Sequence, residues 1–100
     1  MEALRLNSGD SSVRVRRRRE HLTPSEYGIL ETLLGDPGRV FSPEELYRAA
    51  WKAEPFDCRL IIAVHIRHLR EKVEEDPSRP KLIRAAWGKG YLFAGNQASV

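Results

Sequence analysis

The chain has 100 residues, 41% of them hydrophobic, and a formal net charge of +3. That length holds one small core rather than two, and that hydrophobic share excludes a disordered chain. A single cysteine, Cys58, excludes an internal disulfide and fits a reducing, cytoplasmic setting; no apolar run reaches the length of a membrane span or a signal-peptide core.

The positive charge is unevenly placed, since five of the six residues from Arg14 to Arg19 are arginine. Around that run, residues 3–22 read as short strands. Leu4 and Leu6 alternate with polar neighbours, Asn7-Ser8-Gly9-Asp10 is a turn cluster, and Val13 and Val15 alternate with Arg14 and Arg16. Alternation sends the valines inward and the arginines to water. A third strand over Arg19–Leu22 completes an antiparallel β-meander. The arginine run reads as a solvated strand face and turn, with added non-specific DNA affinity or docking of a partner as the second reading.

A helix follows at Thr23, with Pro24 at its first position and Glu26 three residues after the cap, the spacing of a capping box. Tyr27, Leu30, Leu33 and Leu34 make its apolar stripe, and Gly28 inside it has no role that the sequence reveals. Gly35-Asp36-Pro37-Gly38 ends this helix, and Arg39-Val40-Phe41 reads as a short strand. Ser42-Pro43-Glu44-Glu45 repeats the cap pattern and starts a second helix that runs to about Trp51.

After a loop over Ala53–Asp57, a third helix spans roughly Cys58–Glu75, and Asp76-Pro77-Ser78-Arg79-Pro80 breaks it. Ile62, Ile66, Leu69 and Val73 share a narrow stripe at helical period and anchor it on a core. Leu60, Ile61, Val64, Arg67 and His68 point the other way. Lys81–Ala86 and Tyr91–Phe93 are then two strands joined by a turn at Gly88-Lys89-Gly90, and Ala94–Val100 reads as frayed.

The expected fold class is therefore α+β: an N-terminal antiparallel β-meander, three helices and a C-terminal β-hairpin. Two helices joined by a turn and followed by a hairpin describe a winged helix-turn-helix over residues 1–94, with a flexible tail at 95–100. A helix anchored on one side, with cations and small apolar groups on the other, suits a DNA major groove. There cations meet phosphates and aliphatic groups touch thymine methyls. No catalytic set, phosphate-binding glycine loop or metal-spaced cysteine cluster appears, so neither an enzyme nor a cofactor is expected. His65 and His68, with His21 as a third candidate, make metal binding the lesser reading. Cys58, at the start of the third helix, is read as a small half-buried cap residue, with a dipole-lowered pKa as the bolder option.

The chain resembles the winged-helix effector domain of OmpR/PhoB-type response regulators over about residues 4–94. The resemblance rests on His21-Leu22-Thr23-Pro24-Ser25-Glu26-Tyr27, Pro37-Gly38-Arg39-Val40-Phe41-Ser42, Glu44-Glu45-Leu46 and Trp51. It continues through Val64-His65-Ile66-Arg67-His68-Leu69-Arg70, Glu75-Asp76-Pro77-Ser78-Arg79-Pro80 and Gly88-Lys89-Gly90-Tyr91-Leu92-Phe93. It implies a third helix in the major groove, a wing in the minor groove, and head-to-tail homodimers on direct repeats of double-stranded DNA. It also implies contact with RNA polymerase and an upstream receiver domain answering a sensor kinase. By position, Arg67, Arg70 and His65 resemble the family's phosphate contacts and Val64 and His68 its base contacts. Trp51 resembles the tryptophan whose indole N–H approaches a phosphate.

The departures lie at one end of that helix and in the wing. Many members have arginine, a small polar residue and aspartate where this chain has Leu60, Ile61 and Ala63; Arg59 lies one place early. Trp87 stands where an arginine usually enters the minor groove, and Ala85 where a threonine precedes it. Arg84 and Lys89 keep the wing cationic. Ile61 joins the residues expected at the bases, and Trp87 is expected either to wedge into a groove or to pack on its own hairpin. Leu60, Ile61 and Val64 meet thymine methyls in one reading; in the other they form a protein-interaction or dimerisation face. Arg67 and Arg70 either hold phosphates or pair with Glu71 and Glu74.

Overall fold

The computed structural model describes residues 4–95. Strands β1 (Leu4–Asn7), β2 (Ser12–Val15) and β3 (Arg18–His21) form an antiparallel meander. Helices α1 (Pro24–Gly35), α2 (Pro43–Trp51) and α3 (Arg59–Val73) follow, and β4 (Ile83–Ala86) and β5 (Gly90–Phe93) close the chain as an antiparallel hairpin. In the meander Leu4 faces Val15 and Leu6 faces Val13; Leu4, Val13 and Val15 are buried, as the alternation predicts.

Both capping boxes form. The Thr23 and Ser42 side chains accept from the backbone N–H of Glu26 and Glu45, and those glutamates accept from the cap residues' own N–H groups. Each reciprocal cap satisfies two donors that the first helical turn leaves without partners.

Ile62, Ile66, Leu69 and Val73 are the buried residues of α3, as the period predicts. In α1 the expected stripe is only partly right. Leu30 and Leu33 are buried but Tyr27 and Leu34 are half-buried, while Ile29 and Glu26 are also buried. The helix is covered on more than one side because it packs against α2, α3 and β5. Gly28 gains a role there, since a Cβ on it would stand 3.0 Å from Ala50 Cβ and 3.1 Å from its Cα. Its missing side chain lets α1 and α2 approach closely.

The expected strand at Arg39-Val40-Phe41 reduces to a single bridge, Phe41 to Tyr91. That bridge explains Gly90, where a Cβ would lie 1.9 Å from Phe41 O at a φ of +154°. Helix α3 stops at Val73 rather than Glu75, because Glu74 is buried and turned toward the hairpin. Its carboxylate accepts the backbone N–H groups of Lys81, Leu82 and Ile83 at 2.8, 2.9 and 2.8 Å. The strand beginning expected at Lys81 accordingly shifts to Ile83. Ala94, expected to fray, donates its N–H to Leu82 O at 2.7 Å; of the expected tail, residues 96–100 lie outside the described residues.

Candidate nucleic-acid interface

With its buried stripe against the core, α3 leaves Leu60, Ile61 and Val64 exposed at 75%, 42% and 39%. Arg67 continues this face and is also exposed, its Nε 3.8 Å from Glu71 Oε2. An exposed pair of this kind contributes little, about 0–1 kcal/mol, so Arg67 is readily released to another anion. The expected alternative pairing of Arg70 with Glu74 is not what forms. Glu74 serves the backbone of the hairpin, and Arg70 Nε donates to Ile83 O at 3.0 Å while its guanidinium lies 6.0 Å from the Tyr91 ring centre.

His65 is positioned by two contacts. Its Nδ1–H donates to Ile61 O at 2.8 Å, which leaves Nε2 as the outward nitrogen. Its ring meets Trp51 edge-on at 5.1 Å, and Trp51 stacks on Tyr47 at 4.6 Å with 7° between the planes. The aromatic ladder Tyr47–Trp51–His65 thus locks the end of α2 to α3. Tyr47 escaped the sequence reading, although its spacing of four residues from Trp51 on one helix carries the signal.

His68 lies beside that ladder, its ring centre 6.5 Å from that of His65, with Nδ1 3.9 Å from Glu26 Oε2. Glu26 is buried and accepts from Lys72 Nζ at 2.6 Å; Lys72 also donates to His21 O at 2.8 Å. Burial works to raise the Glu26 carboxyl, but the Lys72 and Thr23 hydrogen bonds, with the charges of Lys72 and His68, outweigh it and hold it below its ordinary value. His68 therefore lies at the α1 edge of the exposed face.

In the hairpin, the turn after β4 projects Trp87 into solvent at 95% exposure, so the expected packing on its own strands does not occur. Arg84 and Lys89 are exposed as well. Pro43, Arg59, Ala85, Trp87, Lys89 and Tyr91 line one cleft, which sets the wing against the first turn of α3. Phe56, in the connection between α2 and α3, is 89% exposed and also went unnoticed in the sequence. Its neighbours Pro55 and Asp57 were the signal for an exposed turn.

Away from this face one expectation is corrected, that for Cys58, while the arginines of the Arg14–Arg19 run are exposed as expected. Cys58 is fully buried and caps nothing with its side chain; burial, helped by the Glu44 charge, pushes its thiol up rather than down. Within the arginine run, Arg16 Nη1 and Arg18 Nη2 donate to Val73 O and Lys72 O at 3.2 and 2.9 Å. They satisfy carbonyls at the C-terminus of α3, where the helix dipole favours cations. Among the described residues no three His, Cys, Asp or Glu side chains could hold a metal ion together, and no helix is long and apolar enough to cross a membrane.

A family model described as "Transcriptional regulatory protein, C terminal" matches residues 17–93. The chain belongs to this family. The response regulator DrrB of Thermotoga maritima, an OmpR/PhoB homologue, superposes with a TM-score of 0.78 at 33% identity over 92% of this chain and 42% of its own. The DNA-binding domain of CpxR from E. coli does so with a TM-score of 0.75 at 27% identity, covering 93% of each chain. In sequence, the uncharacterised transcriptional regulatory protein YcbL of Bacillus subtilis is 47% identical over 70 residues, 70% of this chain and 31% of that protein. This effector domain therefore spans about a third of the length of that relative.

Proposed function

We propose that this effector domain binds double-stranded DNA sequence-specifically, with α3 in the major groove and the β4–β5 wing at the minor groove. The observation that carries this reading is the pairing of a rigidly anchored helix with an exposed outer face beside an exposed, cationic wing. The matched part of CpxR is that protein's DNA-binding domain, which favours the same use here. Arg67 meets phosphates, as does His65 when its Nε2 also carries a proton to donate, with the indole of Trp51. Arg70 adds its terminal guanidinium nitrogens, its Nε being engaged by Ile83 O. Ile61, Val64 and His68 face the base edges; Arg84, Lys89 and Trp87 line the minor groove.

As the resemblance implies, the domain works in the cytoplasm as part of a regulator whose copies line up head to tail on direct repeats. RNA polymerase contact and input from a receiver domain and its sensor kinase belong to that same reading. The second reading, a dimerisation or protein-interaction face at Leu60, Ile61 and Val64, is favoured by their exposure alone.

A salt titration on a mixed-sequence fluorescent duplex, followed by anisotropy and paired with sizing in solution, tests the two. DNA binding predicts an affinity that falls log-linearly with salt, the slope growing by about 0.9 for each phosphate neutralised. Absent or salt-insensitive binding, together with a stable dimer, overturns the proposal in favour of the interaction face.

A further inference from the structure

The first two turns of α3 expose Leu60, Ile61 and Val64, and Ala63 beside them is half-buried. None of these side chains carries a hydrogen-bond donor or acceptor. If this end of the helix enters a major groove, it cannot read the amide, carbonyl or ring-nitrogen pattern of the base edges. The one apolar group displayed there is the C5-methyl of thymine.

We infer that this apolar end is a methyl-reading site: Leu60, Ile61 and Val64 select thymine by covering its C5-methyl groups. The inference rests on the DNA-binding reading above and adds the base class that the helix prefers. Three features argue for it. Ile61 and Val64 are β-branched and therefore stiff at χ1, so covering a methyl group costs them little rotamer freedom. Leu60 and Val64 are one turn apart, as are Ile61 and Val64, so the three make one contiguous patch rather than scattered exposure. Arg59 precedes the patch and Arg67 follows it, placing cations about 12 Å apart along the axis at 1.5 Å per residue. Both are exposed, with glutamate partners at 3.8 Å, Glu44 for Arg59 and Glu71 for Arg67, and exposed pairs of this kind are readily exchanged for phosphates flanking the groove.

The polar edge groups of every base pair lose water against this patch, thymine O4 and adenine N6 and N7 included, but only the A·T pair returns a methyl contact for that loss. Selection thus rests on the methyl group.

The experiment compares deoxyuridine with thymidine, which differ only by that methyl group. A duplex selected from a random pool is resynthesised with single thymines replaced by deoxyuridine, and affinities are measured by anisotropy for the wild type and for Leu60→Ala/Ile61→Ala/Val64→Ala. The expected result is a loss of about fourfold for each thymine whose methyl group is covered. The triple variant should bind the thymine duplex as weakly as the wild type binds the matching uracil duplex, with no preference left between them. Alanine is a good helix former and the three sites are exposed, so the fold is retained, which circular dichroism checks. Equal binding of thymine and uracil duplexes by the wild type overturns the inference while leaving the DNA-binding reading intact. Failure to bind any duplex overturns both.

Discussion

Glu74 Oε2 accepts the backbone N–H of Ile83 at 2.8 Å, joining the residue after α3 to the first residue of the wing. The same carboxylate accepts from Leu82 and Lys81, and Arg70 returns the contact by donating to Ile83 O. Helix α3 and the hairpin are thereby tied together. Their spacing, which in the proposed complex must match neighbouring grooves on DNA, is set by a buried side chain rather than by the loop between them.

Removing that carboxylate should loosen the unit. Glu74→Ala leaves the buried N–H groups of Leu82 and Ile83 unpaired, at about 1–3 kcal/mol each. For a domain of this size Tm should fall by roughly 10 °C or more, while Glu74→Gln, which keeps one acceptor oxygen, should lose less. Thermal unfolding followed by circular dichroism decides it; an unchanged Tm in Glu74→Ala removes the linkage.

Gly90 and Gly88 make a contrasting pair. A Cβ at Gly90 would lie 1.9 Å from Phe41 O, whereas at Gly88, with φ +75°, it would meet nothing within 4 Å. Gly88→Ala should therefore cost only its backbone strain, about 1–2 kcal/mol. Gly90→Ala should cost about 2–6 kcal/mol, since steric overlap adds to strain. Urea denaturation of the two variants compares them directly; equal losses would mean that the Phe41–Tyr91 bridge does not constrain the wing.

These features divide what the sequence reveals from what it hides. Capping boxes at Thr23 and Ser42 and the α3 stripe were legible because their rules are local, acting over three or four residues. Glu26–Lys72 and Phe41–Tyr91 were not, since those partners are remote in sequence and meet only through the fold. Neither was Glu74, whose exposed pairing with Arg70 looked natural at helical spacing until the turn after α3 brought Ile83 within reach. At the interface, side-chain types at Arg67, His65 and Trp51 were readable. The Tyr47 stack and the Nδ1 bond that orient two of them were not.

Glu26 should leave a mark on the pH dependence of stability. Its carboxyl is held below its ordinary value in the folded chain, so the unfolded chain binds a proton first as pH falls. Its contribution is thus complete above the ordinary glutamate value of about 4.3 and is lost progressively as pH drops through the lower folded value. Glu26→Gln should lower stability by about 1–3 kcal/mol at neutral pH and flatten the acid limb. Denaturation midpoints from neutral to acid pH measure this, and parallel curves for variant and wild type would sink it.

Arg67 tests the phosphate side of the interface. Its partner Glu71 is 3.8 Å away and the pair is exposed, so Arg67→Ala should change stability by no more than about 0.5 kcal/mol. Binding should weaken for every duplex alike, and the salt slope should shrink by about 0.9. A variant that kept its affinity but lost discrimination between sequences would instead make Arg67 a base reader.

Trp87 separates the wing's contribution from that of the helix. At 95% exposure it supports nothing in the fold, so neither Trp87→Ala nor Trp87→Arg should move stability by more than about 0.5 kcal/mol. Their effects on DNA should diverge. Trp87→Ala removes an apolar body that would otherwise enter or border the minor groove, and should weaken binding without altering the salt slope, because no charge is lost. Trp87→Arg supplies a cation at the tip, where a narrow A·T-rich minor groove concentrates negative potential. The salt slope should steepen by about 0.9, with the larger gain on A-tract duplexes. If Trp87→Ala binds A·T-rich and G·C-rich duplexes as the wild type does, the wing tip lies away from the DNA, and discrimination rests on α3 alone.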